Sequence, residues 1–135
     1  MPHLVILYTP NLEAEGDLTI LCRSLADAML AARDEHGAAV FPTGGTRVLA
    51  YPAAHFAVAD GEADYAFIYL NLRMAAGRSR ATQQRVGDAL LATAKQHLAG
   101  VFAQRLVGLT LQIDESPGQV YDGKHSTLHP LFNKA

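Results

Sequence analysis

An apolar run begins almost at the first residue: Leu4-Val5-Ile6-Leu7-Tyr8, set between Pro2 and Thr9-Pro10-Asn11. Five consecutive strand-forming side chains leave no polar face, so the segment reads as a strand covered on both sides. A chain that starts this way ties its N-terminus into a sheet. Pro2 is tolerated at the first strand position because it need donate nothing to the ladder.

The pattern then changes period. Asp17 is placed to cap a helix, and Leu18, Leu21, Cys22, Leu25, Met29 and Ala32 recur at helical spacing up to Gly37, a natural C-cap, so a helix is expected over 18–36. Phe41-Pro42-Thr43-Gly44-Gly45 is a turn, and Thr46 to Val58 reads as extended, with Pro52 pointing to an edge or a bend. After Asp60-Gly61, Tyr65 to Met74 is the strongest strand. Gly77 and Ser79 mark a junction, and Val86, Leu90, Leu91, Ala94, Leu98 and Val101 predict a second helix over 80–102. Leu106 to Ile113 is the last long strand. Beyond Ser116-Pro117-Gly118 the tail is polar and ends in Leu128-His129-Pro130-Leu131-Phe132.

The order is β-α-β twice, which implies an α+β sandwich: a four-stranded sheet with both helices on one face, each crossover right-handed. The same order fits a ferredoxin-like domain, and pattern alone does not separate the two. The other sheet face needs cover. Val5, Leu7, Phe67, Tyr69, Leu109 and Leu111 are its candidates, and an apolar face there implies self-association.

At 135 residues and 14.5 kDa the expectation is one domain over 1–135. Half the residues are hydrophobic, which excludes disorder. A net charge of -2 argues against a general nucleic-acid binder. The lone Cys22 permits no internal disulfide. No signal-like leader and no run of ~20 apolar residues is present, so the expected setting is cytoplasmic, with no membrane partner.

Three features can carry chemistry. Removal of Met1 would leave Pro2 as a secondary amine at the head of a buried strand. An α-amino group titrates near ~8, burial or nearby cations lower that value, and a base near neutrality suits proton abstraction beside a carbonyl. With Met1 retained, the Pro2 nitrogen is a tertiary amide with no basic lone pair. The plainer account of Pro2 is that it opens a strand. Second, Arg73, Arg78, Arg80 and Arg85 fall in a stretch without a single acid. Arg78 sits at a strand-to-helix junction where backbone N–H groups favour anions, and its planar fork matches a carboxylate. The competing account is a solvated basic helix face. Third, Arg47 follows the glycines of Phe41-Pro42-Thr43-Gly44-Gly45-Thr46, which let the backbone approach something closely; an ordinary loop is the simpler reading. His125 and His129 have i, i+4 spacing but no third zinc ligand. Cys22 reads as core, and His97 as a packing residue.

Taken together, Pro2-His3, Phe41-Pro42-x-x-Gly45-x-Arg47, Asp60-Gly61-x-x-Asp64-Tyr65-Ala66-Phe67 and Ala76-Gly77-Arg78-Ser79 resemble the 5-carboxymethyl-2-hydroxymuconate Δ-isomerase family. That family belongs to the tautomerase superfamily, with 4-oxalocrotonate tautomerase and macrophage migration inhibitory factor. The resemblance runs from Pro2 to Phe132 and is strongest from Asp60 to Ala99. It implies a homotrimer of β-α-β-β-α-β subunits, a small polycarboxylate substrate, and no metal or organic cofactor. It implies Pro2 as acid/base catalyst, with Arg47 and Arg78 as catalytic, substrate-binding arginines. The implied reaction moves a proton within 5-carboxymethyl-2-hydroxymuconate, in homoprotocatechuate-type aromatic catabolism. The chain departs from the family after Arg47, where Val48 and Leu49 stand in place of a further arginine. That leaves two other readings: a tautomerase of a smaller keto or enol acid such as phenylpyruvate, and a non-catalytic trimeric binding protein on the same scaffold.

Overall fold

A computed structural model describes residues 2–132. The Met1 question lies outside them. Strand β1 (His3–Tyr8) leads through a 3₁₀ turn (Pro10–Leu12) into the one-turn helix α1 (Glu13–Gly16) and then α2 (Leu18–Ala31). A second 3₁₀ turn (Thr43–Gly45) precedes β2 (Arg47–Pro52). Strand β3 (Ala66–Ala75), helices α3 (Arg80–His97) and α4 (Ala99–Gln104), strand β4 (Val107–Ser116) and the short α5 (His129–Phe132) complete the chain.

The sheet order is β2-β1-β3-β4. β1 pairs β2 in parallel, β3 pairs β4 in parallel, and the two halves meet antiparallel at β1–β3. Each β-α-β unit joins neighbouring strands, so neither is split, and the ferredoxin-like alternative falls away.

Alternation along the strands settles the faces. Leu4, Ile6, Ile68, Leu70 and Leu72 are fully buried beneath α2 and α3, where they meet Leu21, Leu25, Met29, Val86, Leu90 and Ala94. The opposite face carries His3, Val5 and Leu7, Arg47, Leu49 and Tyr51, and Phe67, Tyr69, Asn71 and Arg73. In the single chain Leu7, Leu49 and Tyr51 remain nearly half exposed. β1 is therefore covered on one side only, contrary to the two-sided cover its sequence suggests. Leu109 and Leu111 were candidates for the open face, but they pack against the helix-side core; β4 presents Thr110 and Gln112 to the open side, in register with Tyr69 and Asn71.

The two main helices also end earlier than their apolar periodicity suggests. Asp17 does cap α2, accepting from the Ile20 N–H. The helix stops at Ala31 because Ala32 turns extended and Asp34 captures the N–H groups of His36 and Ala38. Gly37, with φ of 78°, sits in the turn that follows rather than at the helix cap. The second helix breaks at Leu98 into α3 and α4. Among the described residues no helix is long and apolar enough to cross a membrane.

Candidate active site at one end of the sheet

The parallel pair β1–β2 starts, and β3 ends, at the same edge of the sheet, so residues far apart in sequence share that end. Pro2, in step with Leu4 and Ile6, is buried on the helix side. Its neighbour His3 points to the open face, between Arg47 of β2 and Arg73 of β3 in the strand register. Partial burial, then the Arg47 and Arg73 charges, hold the His3 imidazole below its ordinary 6.5. The residue types alone gave no reason to single out His3. Its signal is the register, which exists only once the strands pair.

The Phe41–Gly45 segment is the wall of the site. Its glycines are buried and closely packed: a Cβ on Gly45 would lie 3.0 Å from Pro42 Cγ and 3.8 Å from Pro2 Cδ. The close approach that the glycines promised is therefore made, and Pro2 is one of its partners. Arg47, half-buried at the start of β2, donates from Nη1 to the Gly45 carbonyl at 2.9 Å.

Arg78 reaches the Val40–Phe41 end of this wall. Gly77, at φ of 120°, makes the turn out of β3 that a side chain would resist. The Arg78 guanidinium then donates to the Val40 carbonyl at 2.7 Å and the Ala75 carbonyl at 3.1 Å, and lies 5.7 Å over the Phe41 ring. So the guanidinium does structural work, and part of its five-donor capacity is committed to main-chain oxygens.

The four arginines do not form one cluster. Arg73 stands on the open sheet face, Arg78 under the Val40–Phe41 segment, and Arg80 and Arg85 on the outer surface of α3. Nor is the start of α3 an open anion site. Ser79 caps the Thr82 N–H, and the Ser79 and Thr82 hydroxyls donate to the Glu35 carboxylate at 2.7 and 3.0 Å. Those two bonds hold Glu35 below the usual carboxylate range. The chain supplies its own anion there.

Of the remaining candidates, Cys22 is half-buried and burial pushes its thiol up, which makes it a poor nucleophile. It borders a groove of about 620 Å³ between α2 and β2. The His97 ring nitrogen Nε2 sits 2.7 Å from the Gly16 carbonyl oxygen and ties α3 to the end of α1. Among the described residues no three His, Cys, Asp or Glu side chains gather as a metal site. His129 does something else: it packs on Gly44 and Gly45 from α5, a contact absent from the sequence reading because a polar tail carries no periodic signal.

The model of the 5-carboxymethyl-2-hydroxymuconate isomerase family matches residues 2–132. An Escherichia coli 5-carboxymethyl-2-hydroxymuconate Delta-isomerase is 30% identical over 132 residues, 98% of this chain and 99% of that protein. A crystal structure of a 5-carboxymethyl-2-hydroxymuconate delta-isomerase superposes with a TM-score of 0.95 at 54% identity, covering 100% of this chain and 95% of that one. A 5-carboxymethyl-2-hydroxymuconate isomerase from Deinococcus radiodurans R1 gives 0.85 at 35% identity, covering 98% and 95%. A macrophage migration inhibitory factor-like protein from Entamoeba histolytica shares the fold alone, at 0.58 and 13% identity over 93% and 96% of the two chains. On the match over residues 2–132 and the near full-length relatives, this chain belongs to the 5-carboxymethyl-2-hydroxymuconate isomerase family and is an isomerase.

Proposed function

We propose that this isomerase acts on 5-carboxymethyl-2-hydroxymuconate, with Pro2 as the group that moves the proton and Arg47 and Arg78 as carboxylate-binding residues. The observation that carries this reading is the meeting of Pro2 and Arg47 at Gly45, with Arg78 braced against the Val40–Phe41 end of the same wall.

With Met1 removed, the Pro2 nitrogen is a secondary amine whose ring is buried. Burial and the neighbouring guanidinium disfavour its cation, which leaves a neutral base near pH 7. Pro2 accepts the proton lost from the hydroxyl-bearing end of the conjugated substrate, and the electron pair shifts through the double bonds. The ammonium so formed then protonates the far carbon, giving the ketone isomer and regenerating the amine. One proton leaves and one returns, so the step needs no oxidant, metal or organic cofactor. The arginines pair with substrate carboxylates and stabilise the developing oxyanion, a term of ~3–4 kcal/mol per donor.

The functional unit in this reading is a homotrimer. Half-exposed Leu7, Leu49 and Tyr51 and the stacked Phe67–Tyr69 pair leave an apolar sheet face that a partner copy would cover. The setting that suits the substrate is cytoplasmic catabolism of homoprotocatechuate-type aromatics.

The experiment is to follow loss of the dienol absorbance with processed Pro2→Ala and Arg78→Ala proteins. Pro2→Ala is expected to lower kcat by ~10²–10⁴, and Arg78→Ala to lower kcat/KM. Unchanged rates in both would overturn the mechanism. A second reading, turnover of a smaller acid such as phenylpyruvate, is favoured by Val48 and Leu49 beside Arg47, which offer no further carboxylate partner. Relative kcat/KM for the tri-acid and the mono-acid decides between them.

A further inference from the structure

The tail returns to the site. Ser126 Oγ accepts from the N–H groups of Leu128 at 3.0 Å and His129 at 3.2 Å, and so turns the chain into α5. α5 then lies on the Thr43–Gly45 turn. A Cβ on Gly44 would sit 3.2 Å from both Cα and Nδ1 of His129 and 3.4 Å from Phe132 Cδ2, so α5 seats closely because Gly44 has no side chain. One residue on, a Cβ on Gly45 would lie 3.5 Å from His129 Cε1 and 3.8 Å from Pro2 Cδ. The His129 and Pro2 rings thus flank a single backbone position. His129 Nε2 is also buried, with no hydrogen-bond partner among the described residues. Buried polar atoms are nearly always paired, and one that is not calls for a reason.

We propose that His129 is a positioning residue for Pro2. The inference rests on Pro2 being the acid/base group. The amine nitrogen of a processed Pro2 is bonded to Cδ, the ring atom that closes on Gly45 beside the His129 ring. The imidazole fixes the place of the proline ring across Gly45. Its loss leaves Pro2 looser and wetter, and wetting favours the cation of the amine. The charged or titratable groups at this end include His3 on β1, Arg47 on β2, Arg73 on β3 and Arg78 beyond it, with Asp122 and Lys124 lining a pocket beside His3 and Arg73; none of them sits on α5.

The test uses full-length, Met1-processed protein and compares His129→Ala, which removes the ring that packs on Gly45, with the parent. The expected result is a 10- to 100-fold fall in kcat, the size of effect that a ~1 Å misplacement can cause. KM is expected to stay within about twofold, and the acidic limb of the kcat/KM pH profile to move to higher pH, towards the ordinary amine value of ~8. Gly44→Val unseats α5 while keeping His129; it should give the same split, and it decides the matter if His129→Ala does not fold. A folded His129→Ala with parental kcat and pH profile overturns the proposal, as does a loss confined to KM. Pro2→Ala run alongside separates the two levels: inactive Pro2→Ala with parental His129→Ala sinks this inference alone, whereas active Pro2→Ala sinks the reading beneath it.

Discussion

Pro2 and His3 are adjacent in the chain yet serve opposite faces of the sheet, because successive strand side chains alternate. Pro2 lies buried beside Gly45, while His3 stands between two arginines. The lowered pKa of His3 has a defined consequence for stability. Below the ordinary 6.5 the unfolded chain takes up this proton more readily than the folded one, so the His3 contribution is complete above 6.5 and is lost as pH falls from there to the folded value. An NMR titration of the His3 ring is expected to give a midpoint under 6.5, and His3→Gln to flatten the fall in stability on the acid side. Asp17 offers a second check. It caps α2 while holding a left-handed φ of 43°, so its two roles can be separated. Asp17→Ala should cost ~1–2 kcal/mol through the lost cap and the strained backbone, and Asp17→Gly clearly less, as read by thermal unfolding.

The element boundaries show where local pattern loses to competing hydrogen bonds. Apolar spacing carries helix one past Ala32, but the Asp34 carboxylate takes the N–H groups of His36 and Ala38 and ends it. The same spacing runs unbroken through Leu98, since a one-residue kink keeps Leu98 and Val101 buried together. α5 was invisible for a different reason. Four residues have no period, and what holds them is the bare surface of Gly44 and Gly45, far earlier in the chain. Leu128, Leu131 and Phe132 in a polar tail were the one hint. The strands were more legible because β1 and β3 are dense in strand formers and lie at the centre of the sheet. Leu70 on β3 is fully buried, so Leu70→Ala should destabilise by ~2–5 kcal/mol in chemical denaturation.

The molecule as a whole has one well-covered sheet face and one bare one. The bare face joins half-exposed Leu7, Leu49 and Tyr51 to the Phe67–Tyr69 stack across three strands. Charge placed at its centre should oppose assembly: Leu7→Arg is expected to give monomers by size-exclusion chromatography with light scattering, with activity falling in step. A Leu7→Arg protein of parental size and activity would show that this face is not an assembly surface. Membership of an isomerase family removes the non-catalytic alternative, and the departure at Val48-Leu49 makes substrate preference the discriminating measurement.

The class of fold and the residues worth watching follow from local pattern along the chain. Strand runs and helix periodicity are local, and so are the Met-Pro start, the glycine-rich turn and the arginines. Which of those residues meet was set by the packing of distant segments. Strand pairing set Arg47 and Arg73 about His3, the Gly77 turn sent Arg78 to the Val40 carbonyl, and Glu35 took the helix start that an outside anion could have used. The physical reason is that contact depends on pairing register and side-chain volume between distant segments. Neither quantity is encoded in any short stretch of the chain, and both become fixed when the sheet closes over its core.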